Sequence, residues 1–326
     1  MSKNIIVITG ATGTQGASVT HTFLAIPTWH VRCLTRNPSS PAAQALAASG
    51  AEVMRADLSD LPSLHEGFKD ATAIFLNTDF WGPYLSSRDS TLAYATEVLH
   101  GRNVAIAAAE VPTLRRLVYS TLPGMKTLSS GKYVHSYHWD AKADVAEILN
   151  AEPGLSGKVS FLVMGVYSNN PFFLPRVMSD GKRKKTLKFN IPGKRSLLMP
   201  FIAAGESTGT FVKALIDSPA GQWVLGSDSH LTMGEVVDVW RRVTGYEVAT
   251  EEVDVQVMHE RHNIPWEVLD APQFIAEFGY TGSLKVMSPE QLGVETKSFE
   301  RWLADRNWEE MIMKGEEELN GVSEKS

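Results

Sequence analysis

Three glycines near the start of the chain have the spacing of a phosphate-binding turn. Gly10, Gly13 and Gly16 follow an apolar, β-branched run at 5–8 and precede a helical stretch at 17–24. A glycine can adopt positive φ in a tight turn, and without a Cβ it lets the backbone approach a diphosphate closely. The free N–H groups of the next helix then face the phosphates, so the segment predicts a dinucleotide site. The other candidate contacts in this turn are Thr12, Thr14 and Gln15.

Two charged residues after the second and third predicted strands could select the cofactor. Arg36 follows the strand at 31–35, where an NAD-specific site usually offers an acidic residue to the ribose hydroxyls. An arginine can instead pair with a 2′-phosphate, which favours NADP(H); a solvated strand-end arginine is the alternative. Asp57, with Leu58 after it, follows the strand at 51–55 and either accepts a hydrogen bond from adenine or caps the next turn. We therefore predict NADP(H) as the cofactor.

Alternating strand and helix patterns must position these residues. Further strand patterns occur at 73–77, 117–120 and 159–164. The helical patterns between the strands lie at 41–49, 61–68, 87–110 and 138–150. This alternation predicts an α/β fold with a doubly wound parallel sheet, and ligands on such sheets lie outside the carboxyl ends of the strands. In the helix at 87–110, the spacing predicts an apolar buried face of Leu92, Ala95, Val98 and Leu99.

The end of the fourth predicted strand is a candidate part of the site. Asn77 and Thr78 lie where the backbone would pass beneath a bound dinucleotide. Phe80 and Trp81 follow, and they could form one wall of a pocket or pack only among themselves. Farther along, His138 and Lys142 are four residues apart in a helical pattern, so both side chains can point into one site.

Four segments together resemble the NmrA-like family, an atypical branch of the short-chain dehydrogenase/reductases. They are GATGTQG at 10–16, TRNP at 35–38, HWDAK at 138–142 and ESTGTFV at 206–212. The resemblance covers 4–303 and implies an NAD(P)-binding Rossmann domain, a smaller α/β C-terminal lobe and a cleft between them. We assign 1–170 to the first domain, with the chain returning to it near 205–230, and 171–326 to the smaller lobe.

The resemblance also implies catalytic roles, with one departure. Typical short-chain dehydrogenases carry Tyr-x-x-x-Lys, in which the tyrosine delivers a proton and the lysine holds the nicotinamide ribose. Here His138 stands in the tyrosine position, and Tyr137 lies one residue earlier, turned by about 100° on the helix. Lys142 is either the ribose ligand or a surface lysine, and His138 either the catalytic acid or a structural residue. An ammonium group one turn away should favour the neutral form of His138.

Further site residues follow the fifth and sixth strands. Ser120 matches by position the serine that orients a substrate carbonyl in these dehydrogenases, and a role in the turn is equally consistent. Tyr167 and Asn170 belong to a segment that resembles the one crossing above the nicotinamide in the family. The candidate pocket residues are Phe80, Trp81, Thr121, Tyr137 and Phe172.

Composition and charge argue against several other classes of protein. The 326 residues are 43% hydrophobic and carry a net charge of −6, which gives no general attraction to nucleic acid or anionic membranes. Cys33 is the single cysteine, so we expect a core residue in a reducing compartment. His259 and His262 lack the further ligands of a metal site. With no signal pattern and no apolar run of membrane-spanning length, we expect a cytosolic protein.

The C-terminal half gives weaker signals. The basic run at 182–185 could be a nuclear address or an anion-binding patch, but a solvated hairpin is the more common structure of such runs. Helical patterns at 206–216 and 232–244 are amphipathic. The acidic tail at 316–326 is expected to be disordered.

Two functions are consistent with these features. The first is an NADP(H)-dependent reductase of a small aromatic or polyketide-like molecule, suggested by the aromatic candidates of the pocket. The second is a catalytically silent NADP(H) sensor that regulates a protein partner, suggested by the missing tyrosine. The oligomeric state is left open.

Overall fold

The computed structural model describes residues 3–179, 185–262 and 264–323. Its strands are β1 (Asn4–Ile8), β2 (Trp29–Thr35), β3 (Glu52–Arg55), β4 (Ala73–Leu76), β5 (Arg116–Thr121), β6 (Val159–Met164), β7 (Val166–Tyr167), β8 (Arg176–Ser179), β9 (Lys185–Pro192), β10 (Leu198–Ile202), β11 (Trp223–Gly226), β12 (Ser229–Thr232) and β13 (Glu247–Val253). Of the basic run at 182–185, only Lys185 lies within the described residues.

The helices are α1 (Thr14–Leu24), α2 (Pro41–Ala48), α3 (Leu61–Phe68), α4 (Trp81–Ser87), α5 (Ser90–Ala109), α6 (Met125–Leu128), α7 (Tyr137–Ala151), α8 (Ala204–Asp217), α9 (Met233–Thr244), α10 (Val255–His262), α11 (Trp266–Phe278), α12 (Phe299–Ala304) and α13 (Trp308–Ser323). Short 3-10 turns occupy Pro153–Leu155, Pro171–Phe173 and Glu290–Leu292. None of the described helices is long and apolar enough to cross a membrane.

Seven parallel strands form the central sheet, in the order β11-β6-β5-β4-β1-β2-β3. All residues of β4 and β6 are buried, because helices cover both faces of the sheet. The predicted doubly wound α/β fold is confirmed. From β1 the strands are added on one side of the sheet as β2 and β3, and on the other side as β4, β5 and β6. The carboxyl ends of β1 and β4 therefore border the crevice in which such folds bind ligands.

Two small sheets and the remaining helices build the second lobe. One sheet has the order β12-β10-β7 and the other β13-β9-β8. Their apolar core surrounds Trp240, which is fully buried and packs against Phe189 and Trp308. The same cluster includes Trp139 of α7 and Val163 of β6, so the core of this lobe is continuous with the packing of the large sheet, and β7 begins directly after β6.

The segment at 205–230 brings the chain back to the large sheet. Strand β11 pairs with β6, and α8 packs against α1. A Cβ on Gly209 would lie 2.1 Å from Thr22 Oγ1, and the Gly209 N–H donates a hydrogen bond to Ser18 Oγ at 3.0 Å. The glycine of the ESTGTFV segment is therefore what allows the two helices to approach closely.

Helix α5 buries a different face from the one predicted. Leu92 and Leu99 are 52% and 49% exposed, whereas the buried face contains Ala93, Glu97 and Gly101. A Cβ on Gly101 would lie 2.4 Å from the side chain of Val145, which shows how closely α5 packs against α7. The close approach requires small residues at the interface, so the larger apolar residues remain outside.

The expectation of a disordered acidic tail is also wrong for the part that the structure describes. Helix α13 continues to Ser323, and Lys314 pairs with Glu310 one turn earlier at 2.7 Å. Ile312 is buried, and a Cβ on Gly315 would lie 2.9 Å from Leu174. Packing of α13 on the segment after β7 thus outweighs the polar composition of the tail.

Candidate active site

The glycine turn between β1 and α1 is closely packed. Gly10 has a φ of +60°, and its carbonyl accepts a hydrogen bond from the Gly13 N–H at 3.0 Å. A Cβ on Gly16 would lie 2.3 Å from the Gly10 oxygen, so no larger residue fits there. In the part of the chain that is described, no side chain caps the first turn of α1, and Thr12 and Thr14 are exposed. The N–H groups of this turn are therefore available to phosphate oxygens.

Gln15 links this turn to the segment after β6. Its side chain is buried, and Nε2 donates a hydrogen bond to the Tyr167 hydroxyl at 2.7 Å. Gln15 Oε1 is buried without a hydrogen-bond partner among the described residues. Burial raises the pKa of Tyr167 despite the hydrogen bond from Gln15, so this hydroxyl keeps its proton at neutral pH. Asn170 caps the turn Pro171–Phe173, with its Oδ1 accepting a hydrogen bond from the Phe172 N–H at 3.0 Å.

Arg36 and Asp57 lie near each other at the ends of β2 and β3. Arg36 is exposed, and no described residue forms an ion pair or hydrogen bond with its guanidinium. Asp57 Oδ1 accepts hydrogen bonds from the N–H and hydroxyl of Ser59, so the carboxylate caps the turn. Burial alone would raise the pKa of Asp57, but these hydrogen bonds and the charges of His100 and Arg36 lower it. The Leu58 carbonyl accepts from a side-chain amide of α5 at 2.9 Å.

The ends of β4 and β5 are joined to their neighbours by polar side chains. The Asn77 N–H donates to Thr9 Oγ1 at 3.0 Å, and this bond connects β4 to β1. Thr121 is fully buried, and its hydroxyl donates to the Lys142 carbonyl at 3.1 Å. It therefore positions α7 behind the site. Ser120 Oγ is buried and has no partner among the described residues.

Lys142 is held by a network of buried polar groups next to the carboxyl ends of β4 and β5. Its Nζ lies 3.0 Å from Glu97 Oε1, 3.0 Å from the Thr78 carbonyl and 3.3 Å from Thr78 Oγ1. The Thr78 hydroxyl donates to Glu97 Oε1 at 2.6 Å and lies 3.0 Å from the Tyr119 hydroxyl. The three hydrogens of the ammonium group thus have three acceptors within the protein.

Glu97 is the site residue that the sequence analysis missed. It is 0% exposed in the middle of α5, and the Lys142 side chain is 14% exposed. A buried carboxylate requires a positive or hydrogen-bonding partner, and Lys142 and Thr78 supply both. In the sequence, Glu97 has a small residue four positions before it, Ala93, and another four positions after it, Gly101. This spacing puts all three on one side of the helix, and it was the signal that could have indicated a buried glutamate.

His138 shares one side of α7 with Lys142 and is surrounded by aromatic rings. Its ring centroid lies 5.7 Å from that of Phe80 and 4.9 Å from that of Trp81. Burial first, and then the positive charge of Lys142, lower the pKa of His138 to about 3. The imidazole is therefore neutral at neutral pH, in the direction expected from the sequence, and its Nδ1 is buried without a partner among the described residues.

The structure separates the predicted pocket residues into two groups. Phe80, Trp81 and Tyr137 belong to one aromatic cluster with Tyr84 and Tyr94. Phe80 is almost fully buried and stacks on Tyr84, and the Tyr137 ring meets that of Tyr94 at 6.3 Å. Phe172 packs elsewhere, in a cluster with Val253, Val255 and Met258 of the second lobe. Cys33 lies in the core as expected, and burial raises the pKa of its thiol to about 11.

A cavity of about 530 Å³ lies between the start of α1, the start of α8 and the C-terminal helices. Its lining residues include Thr14, Asn169, Gly205, Glu206, Trp302, Arg306, Met311 and Lys314. It adjoins the glycine turn through Thr14, but none of its lining residues belongs to the Lys142 network. The cavity and the Lys142 network are therefore separate parts of this region.

The residues present fit a dinucleotide. The uncapped first turn of α1 can bind phosphates, and the lack of a Cβ at Gly16 allows the backbone of the turn to pack closely against the start of this helix. Three buried polar atoms around this edge of the sheet lack protein partners within the described ranges: Gln15 Oε1, Ser120 Oγ and His138 Nδ1. Such atoms are satisfied when a polar ligand or water binds.

The fold and the glycine turn define a protein of the Rossmann class with a second lobe next to the crevice. A sequence model of the NmrA-like family matches residues 2–310, and the chain belongs to that family. It is 29% identical over 280 residues to the NmrA-like family domain-containing oxidoreductase hkm9 of Aspergillus hancockii, with 81% of this chain and 79% of the relative covered.

Two solved structures show the same fold. One is NmrA, a negative transcriptional regulator, in complex with NADP; it has a TM-score of 0.67 and 20% identity, covering 99% of this chain and 98% of that one. The other is leucoanthocyanidin reductase of Vitis vinifera in binary complex with NADPH, with a TM-score of 0.69 and 16% identity over 95% of this chain and 100% of that one. At these identities the likeness concerns the fold alone.

Proposed function

We propose that this protein is an NADP(H)-dependent oxidoreductase that reduces a small aromatic or polyketide-like molecule. The observation that carries the proposal is the combination, at one edge of the sheet, of an uncapped glycine turn and a lysine cation held by Glu97 and Thr78. The oxidoreductase hkm9 and the NADPH-bound leucoanthocyanidin reductase support the same class of chemistry.

Each part of the cofactor has a candidate partner. The first turn of α1 binds the diphosphate, and the unpaired Arg36 pairs with the 2′-phosphate. Lys142 orients the nicotinamide ribose. Because the three ammonium hydrogens already have acceptors, a ribose hydroxyl must replace one of them, and the longest contact, to Thr78 Oγ1 at 3.3 Å, is the easiest to give up. Bound NADPH supplies the hydride.

The proton for the reduced product needs another source than His138. With a pKa of about 3, the imidazolium is absent at neutral pH, and the neutral ring is a poor acid. Tyr167 is the better candidate, because its hydroxyl keeps its proton and accepts a hydrogen bond from Gln15, which leaves its own hydrogen free to donate. Tyr167 or a water molecule beside it therefore delivers the proton. Phe80, Trp81 and Tyr137 are the candidates for the aromatic wall of the substrate site.

The test is oxidation of NADPH by the purified protein over a panel of aromatic ketones, quinones and enones. We expect turnover of at least one class, loss of most of it in Tyr167→Phe, and a much smaller effect of His138→Phe. The control is Tyr246→Phe, because Tyr246 packs against Trp308 of the second lobe and its hydroxyl donates to Glu309 at 3.5 Å. Tight NADPH binding without turnover of any compound would refute the catalytic proposal.

A second function is favoured because position 138 has no side chain that readily donates a proton at neutral pH. A protein with a bound dinucleotide and no proton donor would act as a sensor of the ratio of NADP⁺ to NADPH, and the fold neighbour NmrA is a negative transcriptional regulator. This function predicts a protein partner whose affinity differs between the oxidised and reduced complexes, by a factor that must be reciprocal. Equal partner binding in the two states would refute it.

A further inference from the structure

The charges beneath the proposed nicotinamide site balance each other. Lys142 carries one positive charge, and Glu97 at 3.0 Å carries one negative charge. The other titratable groups of the network are neutral, since burial raises the pKa of Tyr119 well above its ordinary value and burial with the charge of Lys142 lowers that of His138 to about 3. The site therefore presents an ion pair with no net charge.

Glu97 cannot contact a bound cofactor directly. Its side chain is 0% exposed and lies behind Lys142 and Thr78, and its second oxygen, Oε2, has no hydrogen-bond partner among the described residues. It can act on the cofactor only through the electric field of its charge and through Lys142. Such a field is strong in a buried site, because little water is present to screen it.

We propose that Glu97 sets the relative affinity of this site for NADP⁺ and NADPH by neutralising Lys142. This inference rests on the proposed function, which places the nicotinamide next to Lys142. The nicotinamide ring of NADP⁺ carries a positive charge that the ring of NADPH lacks, and the two forms are otherwise nearly identical in shape. An uncompensated Lys142 would repel the oxidised ring and leave the reduced ring almost unaffected.

The size of the effect follows from Coulomb's law. Removal of one unit charge on the order of 10 Å from the ring, at an effective dielectric constant of about 20 to 40, changes the ratio of the two dissociation constants by roughly 4- to 16-fold. The direction is fixed by the sign of the charge. Loss of Glu97 weakens NADP⁺ relative to NADPH, and loss of Lys142 does the opposite.

A purely structural role of Glu97 makes a different prediction. If Glu97 only positioned Lys142 or stabilised α5, its loss would weaken both cofactor forms by the same factor, because both use the same ribose and phosphates. The ratio of the dissociation constants therefore separates the electrostatic role from the structural one.

The experiment measures the dissociation constants of NADP⁺ and NADPH by calorimetry, at one fixed salt concentration, for four proteins besides the parent. They are Glu97→Gln, which removes the charge and keeps the hydrogen-bonding shape; Lys142→Met; the double variant; and Glu110→Gln. Glu110 is the matched control, since it lies directly after the same helix but is exposed, with His65 as its nearest partner at 3.5 Å.

We expect Glu97→Gln to raise the ratio of the NADP⁺ to the NADPH dissociation constant by roughly 4- to 16-fold. Lys142→Met lowers the ratio, and the double variant returns it to within about twofold of the parent, because its charges again balance. Glu110→Gln leaves the ratio unchanged. If one of the two single variants does not fold, the ratio measured in the other single variant, compared with the ratio in the double variant, still tests the proposal.

An unchanged ratio in a folded single variant, with both constants shifted equally or not at all, would overturn the proposal. Failure of the parent protein to bind either form would instead refute the proposed cofactor site itself. The two failures are thus distinguishable, and neither measurement depends on finding a substrate.

Discussion

Replacement of Lys142 by methionine should destabilise the protein strongly, even without a cofactor. The change removes the cation 3.0 Å from Glu97 and leaves the fully buried carboxylate with the Thr78 hydroxyl as its one remaining donor among the described residues. Breaking a buried ion pair in this way typically costs about 3–5 kcal/mol. For 326 residues, with an unfolding entropy of about 2.1 cal/mol/K per residue, the loss corresponds to a melting temperature lower by about 4–7 °C.

The double variant Lys142→Met/Glu97→Gln should recover most of this loss. With both charges removed, no uncompensated carboxylate remains, and the exchange of a buried pair for neutral groups of similar volume is often close to neutral. We therefore expect the double variant within about 2 kcal/mol of the parent protein. Even if Glu97→Gln alone cost nothing, the coupling energy between the two positions would then be at least about 1 kcal/mol.

The assay is urea and thermal unfolding followed by circular dichroism for the parent, both single variants and the double variant. Lys213→Met is a suitable control, because Lys213 pairs with Asp217 on the surface of α8 and such pairs contribute little. A loss below about 1 kcal/mol in Lys142→Met, or additive effects in the double variant, would show that water solvates the pair and that our interpretation of Glu97 is wrong.

Four further outcomes follow from the site. Gly16→Val should abolish dinucleotide binding in calorimetry, because its Cβ would overlap the Gly10 carbonyl, and normal affinity would contradict the described turn. Arg36→Ala should weaken NADPH by about 10- to 100-fold and leave NADH unchanged, as measured by fluorescence titration; equal losses would argue against a 2′-phosphate contact. Because the pKa of His138 is about 3 in the folded state and 6.5 ordinarily, the unfolded state binds a proton first, so stability should fall as pH drops from 6.5 towards 3. His138→Phe should make the free energy of unfolding in urea less dependent on pH in this range. An unchanged pH dependence would contradict a lowered pKa of His138. If Tyr167 is the proton donor, Tyr167→Phe should lower kcat by about 10²- to 10⁴-fold with little change in KM.

Much of the first lobe could be predicted because its signals are local. The observed β6 has the predicted bounds, Val159–Met164, and the glycine turn was identified from a strand, a turn and a helix that adjoin in sequence. Apolar runs in a parallel sheet and glycines in a phosphate turn are dictated by neighbouring residues. The corresponding predictions needed no knowledge of distant parts of the chain.

The site itself depended on contacts between distant residues. Glu97 and Lys142 are 45 positions apart, and their pairing follows from the close packing of α5 on α7 through Gly101. The apolar pattern of α5 favoured Leu92 and Leu99 as its buried face, since hydrophobic periodicity gives no weight to small residues that permit close helix packing. The packing of Phe172 could not be predicted from its neighbours in sequence either, because its cluster is built from strands and helices of the second lobe that lie far along the chain.

The most direct test of the proposed hydride transfer uses NADPH carrying deuterium at nicotinamide C4. The protein is incubated with this cofactor and the panel of ketones, quinones and enones, and the products are analysed by mass spectrometry. We predict that the deuterium appears on carbon in a reduced product, and that Tyr167→Phe slows its appearance. Tight binding of the cofactor with no deuterium in any ketone or enone product, and with no oxidation of the cofactor by the quinones, would contradict an oxidoreductase function and favour the sensor.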